Sequence, residues 1–154
     1  MLKLSRILLV AFAAVALIAA GCGGDTEEKN DYVDQVNKAQ TEFADQVTKL
    51  STAITSTSSS STDQKTIESY QTAVDGVVKD LEGITPPEDV KAEHQQLVDA
   101  MSTYGESVGT ALEDLQGGSA QDRLKAATEL QTASSTAGTQ INQAIEAINK
   151  KLQE

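Results

Sequence analysis

Gly83-Ile84-Thr85-Pro86-Pro87-Glu88 separates two apolar seams of helical period, and how it is read decides the fold. Before it, Ile67, Tyr70, Val74, Val77, Leu81 and Ile84 recur three or four residues apart, the spacing of one helix face. After it, Val90, His94, Leu97, Met101, Tyr104, Val108, Ala111 and Leu115 repeat the pattern. Gly83 is the expected stop of the first helix. Thr85 is the expected N-cap of the next, with Pro86 in the first turn, where no backbone donor is missed, and Glu88 completing a capping box. So short a connection between two long helices forces them to lie antiparallel.

Working outward, Gly117-Gly118 ends the downstream helix, and Ser119 with Asp122 caps another. That last helix carries Leu124, Ala127, Leu130, Ala137, Ile141, Ala144, Ile145, Ile148 and Leu152. Upstream, Thr55 to Thr62 is entirely Ser and Thr, which favours local side-chain bonding over helix and has nothing to bury, so a loop is expected. Ser61 and Gln64 have capping-box spacing for the helix that follows. Before the loop, Val33, Val36, Phe43, Val47, Leu50 and Ile54 predict a helix from Asp31, with Gln40 filling the one missing step. No stretch sustains a period of two. The expected fold is all-α, an up-down-up-down antiparallel four-helix bundle over residues 31–154.

Counting back from each turn gives an expected register. Met101 falls level with Ser134, Gly105 with Leu130, and Gly109 with Ala126 or Ala127. Gly76 falls level with His94, and Gln40 with Gly76, so the two polar intruders Gln40 and His94 are expected in one layer, with Asn142 and Thr139 at the same height. Gln40, Gly76, His94 and Asn142 are therefore the candidate ligand-binding layer. The alternative for His94 is a buried side chain hydrogen-bonded to Gln40 or to an amide of the last helix, holding the register.

The chain begins with a different signal. Lys3 and Arg6 precede an uncharged run from Ile7 to Ala20, and Ala19-Ala20-Gly21-Cys22 places small residues before the only cysteine. The run falls short of the ~20 apolar residues a spanning helix needs. Residues 1–22 resemble the signal peptide and lipobox of bacterial prolipoproteins, with Ala19 where Leu is commoner. The resemblance implies cleavage after Gly21 and a diacylglycerol on the Cys22 thiol, hence a lipid-anchored protein on the extracytoplasmic face of a cell membrane. Two acyl chains hold a protein durably where one gives only marginal binding. Residues 22–30 read as the lipidated cysteine and a hydrophilic tether, whose eight residues after Cys22 span at most about 28 Å. The remaining chain looks, in composition alone, like small helical lipoproteins of Gram-positive and actinobacterial envelopes.

Composition narrows the chemistry. The full chain carries a net charge of -11, and removal of residues 1–21 leaves 10 basic against 23 acidic side chains, or -13. Such a surface repels phosphate backbones, so nucleic acid is not an expected partner. Gly105-Glu106-Ser107-Val108-Gly109 matches the G-x-S-x-G nucleophile elbow as a string, yet it lies in a helical seam and the only histidine precedes it. Its glycines read instead as a small face for close helix approach. Met101 is seven residues from His94, about 10 Å along a helix, too far to share a metal ion with it. No catalytic residue, metal centre or cofactor is expected. The expected role is a non-enzymatic binding or structural envelope protein that contacts another envelope protein or a wall component. The alternative is a carrier of a small ligand or metal in the Gln40 layer.

Overall fold

The computed structural model describes residues 26–53, 60–116 and 119–154. Residues 1–25, which hold the expected signal segment and Cys22, lie outside the described residues, as do Ile54, Gly117-Gly118 and the part of the Ser/Thr stretch from 55 to 59. Among the described residues there are four α-helices, α1 (Thr26–Ala53), α2 (Ser60–Glu82), α3 (Lys91–Gln116) and α4 (Ala120–Leu152), and a 3-10 turn, Glu88–Val90, that leads into α3. The described residues contain no strand, so the fold is all-α.

Several boundaries differ from the expectation. Helix α1 begins at Thr26, five residues before Asp31, so residues 26–30 of the expected tether are helical; Glu27 and Glu28 occupy the first turn, where negative charge suits the helix dipole. Ser60, Ser61 and Thr62 belong to α2 and not to a loop. At the Gly83 junction α2 does end at Glu82, with the Gly83 amide donating to the Lys79 carbonyl at 3.1 Å.

Thr85, however, does not cap α3. Thr85, Pro86 and Pro87 are non-helical, Pro87 is the N-cap of the 3-10 turn at φ -53° and ψ 149°, and no side chain caps it. The reason lies in the double proline: the residue before a proline is pushed out of the α region, and here both Thr85 and Pro86 precede one. The helix can start only after Pro87. By contrast, Ser119 and Asp122 form the expected capping box, the Asp122 amide donating to Ser119 Oγ at 3.0 Å and the Ser119 amide to Asp122 Oδ2 at 3.2 Å.

One apolar core joins all four helices. Val36, Val74, Val108 and Ile148 are fully enclosed, and Tyr32, Tyr70, Leu81, Leu97, Ile141 and Ile145 nearly so. At about 1.5–3 kcal/mol for each large aliphatic side chain removed from water, burial is the principal source of stability here, since a chain with one cysteine has no internal disulfide. Leu124, expected in the α4 seam, is 53% exposed and contributes little. Helices α3 and α4 share the most extensive interface, α2 packs on α3, and α1 packs chiefly on α2.

The glycine face of α3 meets α2 and not α4. A Cβ on Gly105 would stand 3.3 Å from Val74 Cγ1, and one on Gly109 would stand 3.1 Å from Gln71 Nε2. Across the other interface, the Tyr104 hydroxyl lies 3.2 Å from Ser134 Oγ. The small residues do allow close approach, against a different neighbour from the one predicted.

Candidate functional site

His94 sits in the first turns of α3 and is 5% exposed. Its Nε2 lies 3.1 Å from the Leu81 carbonyl and its Nδ1 lies 3.1 Å from the Tyr32 hydroxyl. A carbonyl can only accept, so Nε2 carries the hydrogen and Nδ1 accepts from Tyr32. Leu81 lies in the last turn of α2, where carbonyls lack helical partners; this one accepts from both the Ile84 amide and His94. The neutral imidazole thus ties α1, α2 and α3 together, with Tyr32 and His94 also meeting edge-to-face at 5.6 Å.

Burial pushes the His94 pKa down, the Leu81 carbonyl partly opposing it. Burial also raises the Tyr32 hydroxyl well above its usual range, with the Glu93 carboxylate adding to the effect. Glu93 Oε1 accepts from Lys151 Nζ at 2.9 Å, which lowers its own pKa, and Glu93 Oε2 is buried without a partner. Lys151, in the last turn of α4, is therefore an ion-pair partner of α3.

A second polar chain crosses the core. The Tyr70 and Tyr104 hydroxyls are 2.6 Å apart, and Tyr104 lies 3.2 Å from Ser134 Oγ, so one hydroxyl relay links α2, α3 and α4. Desolvation raises both phenols, Tyr70 well above its ordinary pKa and Tyr104 against the opposing effect of its hydrogen bonds to Ser134 and Tyr70. Phe43 packs against Tyr70 with ring centroids 6.3 Å apart.

Gln40 is elsewhere. It lines a cavity of about 390 Å³ walled by Phe43 of α1, Val77 and Leu81 of α2, Leu97 and Met101 of α3, and Ile141 of α4, with Asn37, Thr41 and Asp45 completing its α1 side. The cavity forms where α1, seated mainly on α2, stands off from α3 and α4. Gln40 Nε2 is buried with no hydrogen-bond partner. An orphaned amide of this kind costs on the order of 1–3 kcal/mol, which an apolar side chain at the same place would avoid.

The expected layer is therefore divided. Gln40 lines the cavity, whereas His94 does not and spends both nitrogens on Tyr32 and Leu81. Gly76 is half-buried, does not line the cavity, and a Cβ there would meet nothing within 4 Å. Asn142 is half-buried beside Ile141 but does not line the cavity either. The cause is the extended Thr85–Pro87 segment, which brings Leu81 and not Gly76 level with His94. Tyr32, absent from the predicted seam, is the functional neighbour the pattern could have found, because Tyr32, Val36, Ala39 and Phe43 keep helical spacing.

A second concavity, about 420 Å³ between α3 and α4, is bordered by Thr103, Ser107, Thr110, Thr128, Thr132 and Thr136 among others. Its hydroxyls are turned inward: Ser107, Thr110, Thr128 and Thr132 donate to the carbonyls four residues back at 2.9 to 3.1 Å. Ser107 of the G-x-S-x-G string is accordingly a helical residue bonded to Thr103. Glu129 beside this groove approaches Lys125, which also bonds Asp114 at 2.8 Å. Among the described residues no group of three His, Cys, Asp or Glu side chains could hold a metal ion, and no helix is long and apolar enough to cross a membrane.

Among the described residues the geometry defines an all-α fold of four helices with an apolar cavity on the open side of α1. Comparison with protein-family models, curated proteins and solved structures finds no match to the chain.

Proposed function

We propose that the chain is a lipoprotein anchored on the extracytoplasmic face of a cell membrane through Cys22, serving as a non-enzymatic binding or structural protein of the cell envelope. The observation that carries the reading is the order Lys3, Arg6, apolar Ile7–Ala20, then Ala19-Ala20-Gly21-Cys22. Because α1 begins at Thr26, only Gly23, Gly24 and Asp25 separate Cys22 from the first helix, a reach of about 14 Å. The bundle stands against the membrane surface.

The proposed topology is up-down-up-down. It is supported by the pairing of Glu93, near the start of α3, with Lys151 at the end of α4, and of Asp114, near the end of α3, with Lys125 near the start of α4. Tyr32 near the start of α1, Leu81 near the end of α2 and His94 near the start of α3 meet in the same way. The end that carries the start of α1 then faces the membrane, and the opposite end, where α2 and α4 begin, faces outward toward an envelope protein or wall component. A binding role accords with His94 spending both ring nitrogens on Tyr32 and Leu81, and with Ser107 bonding the Thr103 carbonyl of its own helix.

Labelling with an alkyne-bearing palmitate analogue, followed by membrane fractionation, tests the anchor. Label and membrane retention should both be lost in Cys22→Ser; retention of that variant in the membrane would overturn it. A second reading, a carrier of a small molecule, is favoured by the cavity at Gln40.

A further inference from the structure

We propose that the cavity between α1 and the α3–α4 pair is a binding site for an uncharged apolar molecule bearing one carbonyl oxygen, an acyl ester, with Gln40 as the residue that recognises the oxygen. The inference rests on the carrier reading and not on the lipid anchor. The volume, about 390 Å³, lies within the ~300–1,000 Å³ of small-molecule sites. The wall is contributed by all four helices and is apolar at Phe43, Val77, Leu81, Leu97, Met101 and Ile141.

Charge selects the class of ligand. No lysine or arginine lines the cavity, Asp45 stands on its α1 side, and the whole chain is acidic at -11. An anion would be desolvated there with no cation to meet it. A plain hydrocarbon would fill the space but leave Gln40 Nε2 as it stands, buried and unpartnered. An ester carbonyl answers both requirements, because it carries no charge and accepts the hydrogen bond that the Gln40 amide lacks. Because Nε2 is itself buried, recognition requires the Gln40 side chain to turn about its torsions toward the oxygen.

The methionines make the test direct, since Met101 lines the cavity and the only other methionine is Met1. The full chain, labelled at the methionine methyl carbon and held in an amphipathic polymer, is titrated with methyl laurate and in parallel with laurate and with dodecane. The expected result is a saturable shift of the Met101 methyl resonance with the ester, and at least fivefold weaker responses with the acid and the hydrocarbon. Gln40→Leu removes an unpaired amide and so keeps the fold; it should weaken the ester about tenfold, the worth of one hydrogen bond, and leave dodecane unchanged. A silent Met101, laurate or dodecane binding as tightly as the ester, or an ester affinity unmoved by Gln40→Leu would each overturn the proposal. None of these results bears on whether Cys22 is lipidated.

Discussion

His94 is the one histidine of the chain, so between pH 7 and about 5.5, above the carboxylates, it is the side chain whose ordinary pKa falls in range. Its folded pKa lies below the ordinary value of ~6.5. In that window the unfolded chain binds more protons than the folded one, so stability falls as pH falls below about 6.5. The lowered Glu93 carboxyl, paired with Lys151, loses its contribution further down, as pH falls below the ordinary glutamate value and through its own depressed one. Urea unfolding midpoints measured from pH 7 to 5.5 should drop for the natural chain and stay flat for His94→Gln. A natural chain with no drop would contradict the buried neutral imidazole. Tyr32→Phe leaves Nδ1 without its donor and should cost about 0.5–1.5 kcal/mol at pH 7, read from the same unfolding curves.

At the scale of the element, glycines in these helices divide by what faces them. Gly76 and Gly138 have nothing within 4 Å of a built Cβ, so alanine at either should stabilise by about 0.5–1 kcal/mol through helix propensity alone. Gly105→Ala meets Val74, a stiff β-branched side chain at 3.3 Å, and should gain nothing or lose. Thermal unfolding of the three variants gives the order directly; equal gains at all three would mean that α2 and α3 are not closely apposed. The cap of α4 is a separate device: Asp122→Ala removes one half of the Ser119 capping box and should cost about 1 kcal/mol in the same assay. Both effects are local, since neither substitution touches the cavity.

For the whole molecule, net charge adds a self-repulsion that opposes the compact state, since 23 acidic side chains face 12 basic ones. The pairs Lys38–Glu42 and Lys91–Glu88 are exposed and contribute little. Raising salt from about 10 mM to 150 mM shortens the screening length to about 8 Å and should therefore raise the melting temperature; a decrease would mean that ion pairs outweigh repulsion. The all-α class, the seam residues whose burial is described, apart from Leu124, the Gly83 stop and the Ser119 cap were legible in the chain, because helical period and capping depend on residues within about one turn of each other. The start of α3 was misread for an equally local reason, the restriction each proline places on its predecessor, and that displacement carried Leu81 into the place expected for Gly76. The partners of His94 and the setting of Gln40 were not legible. They depend on how far one helix slides along another and on which neighbour α1 chooses, quantities set by the summed packing of all four helices. Sequence by itself determined which residues form helices and which faces are apolar; only the tertiary structure decided that Tyr32 and not Gln40 meets His94, and that Gln40 borders a cavity, because register between helices is a property of the assembled core and of no single segment.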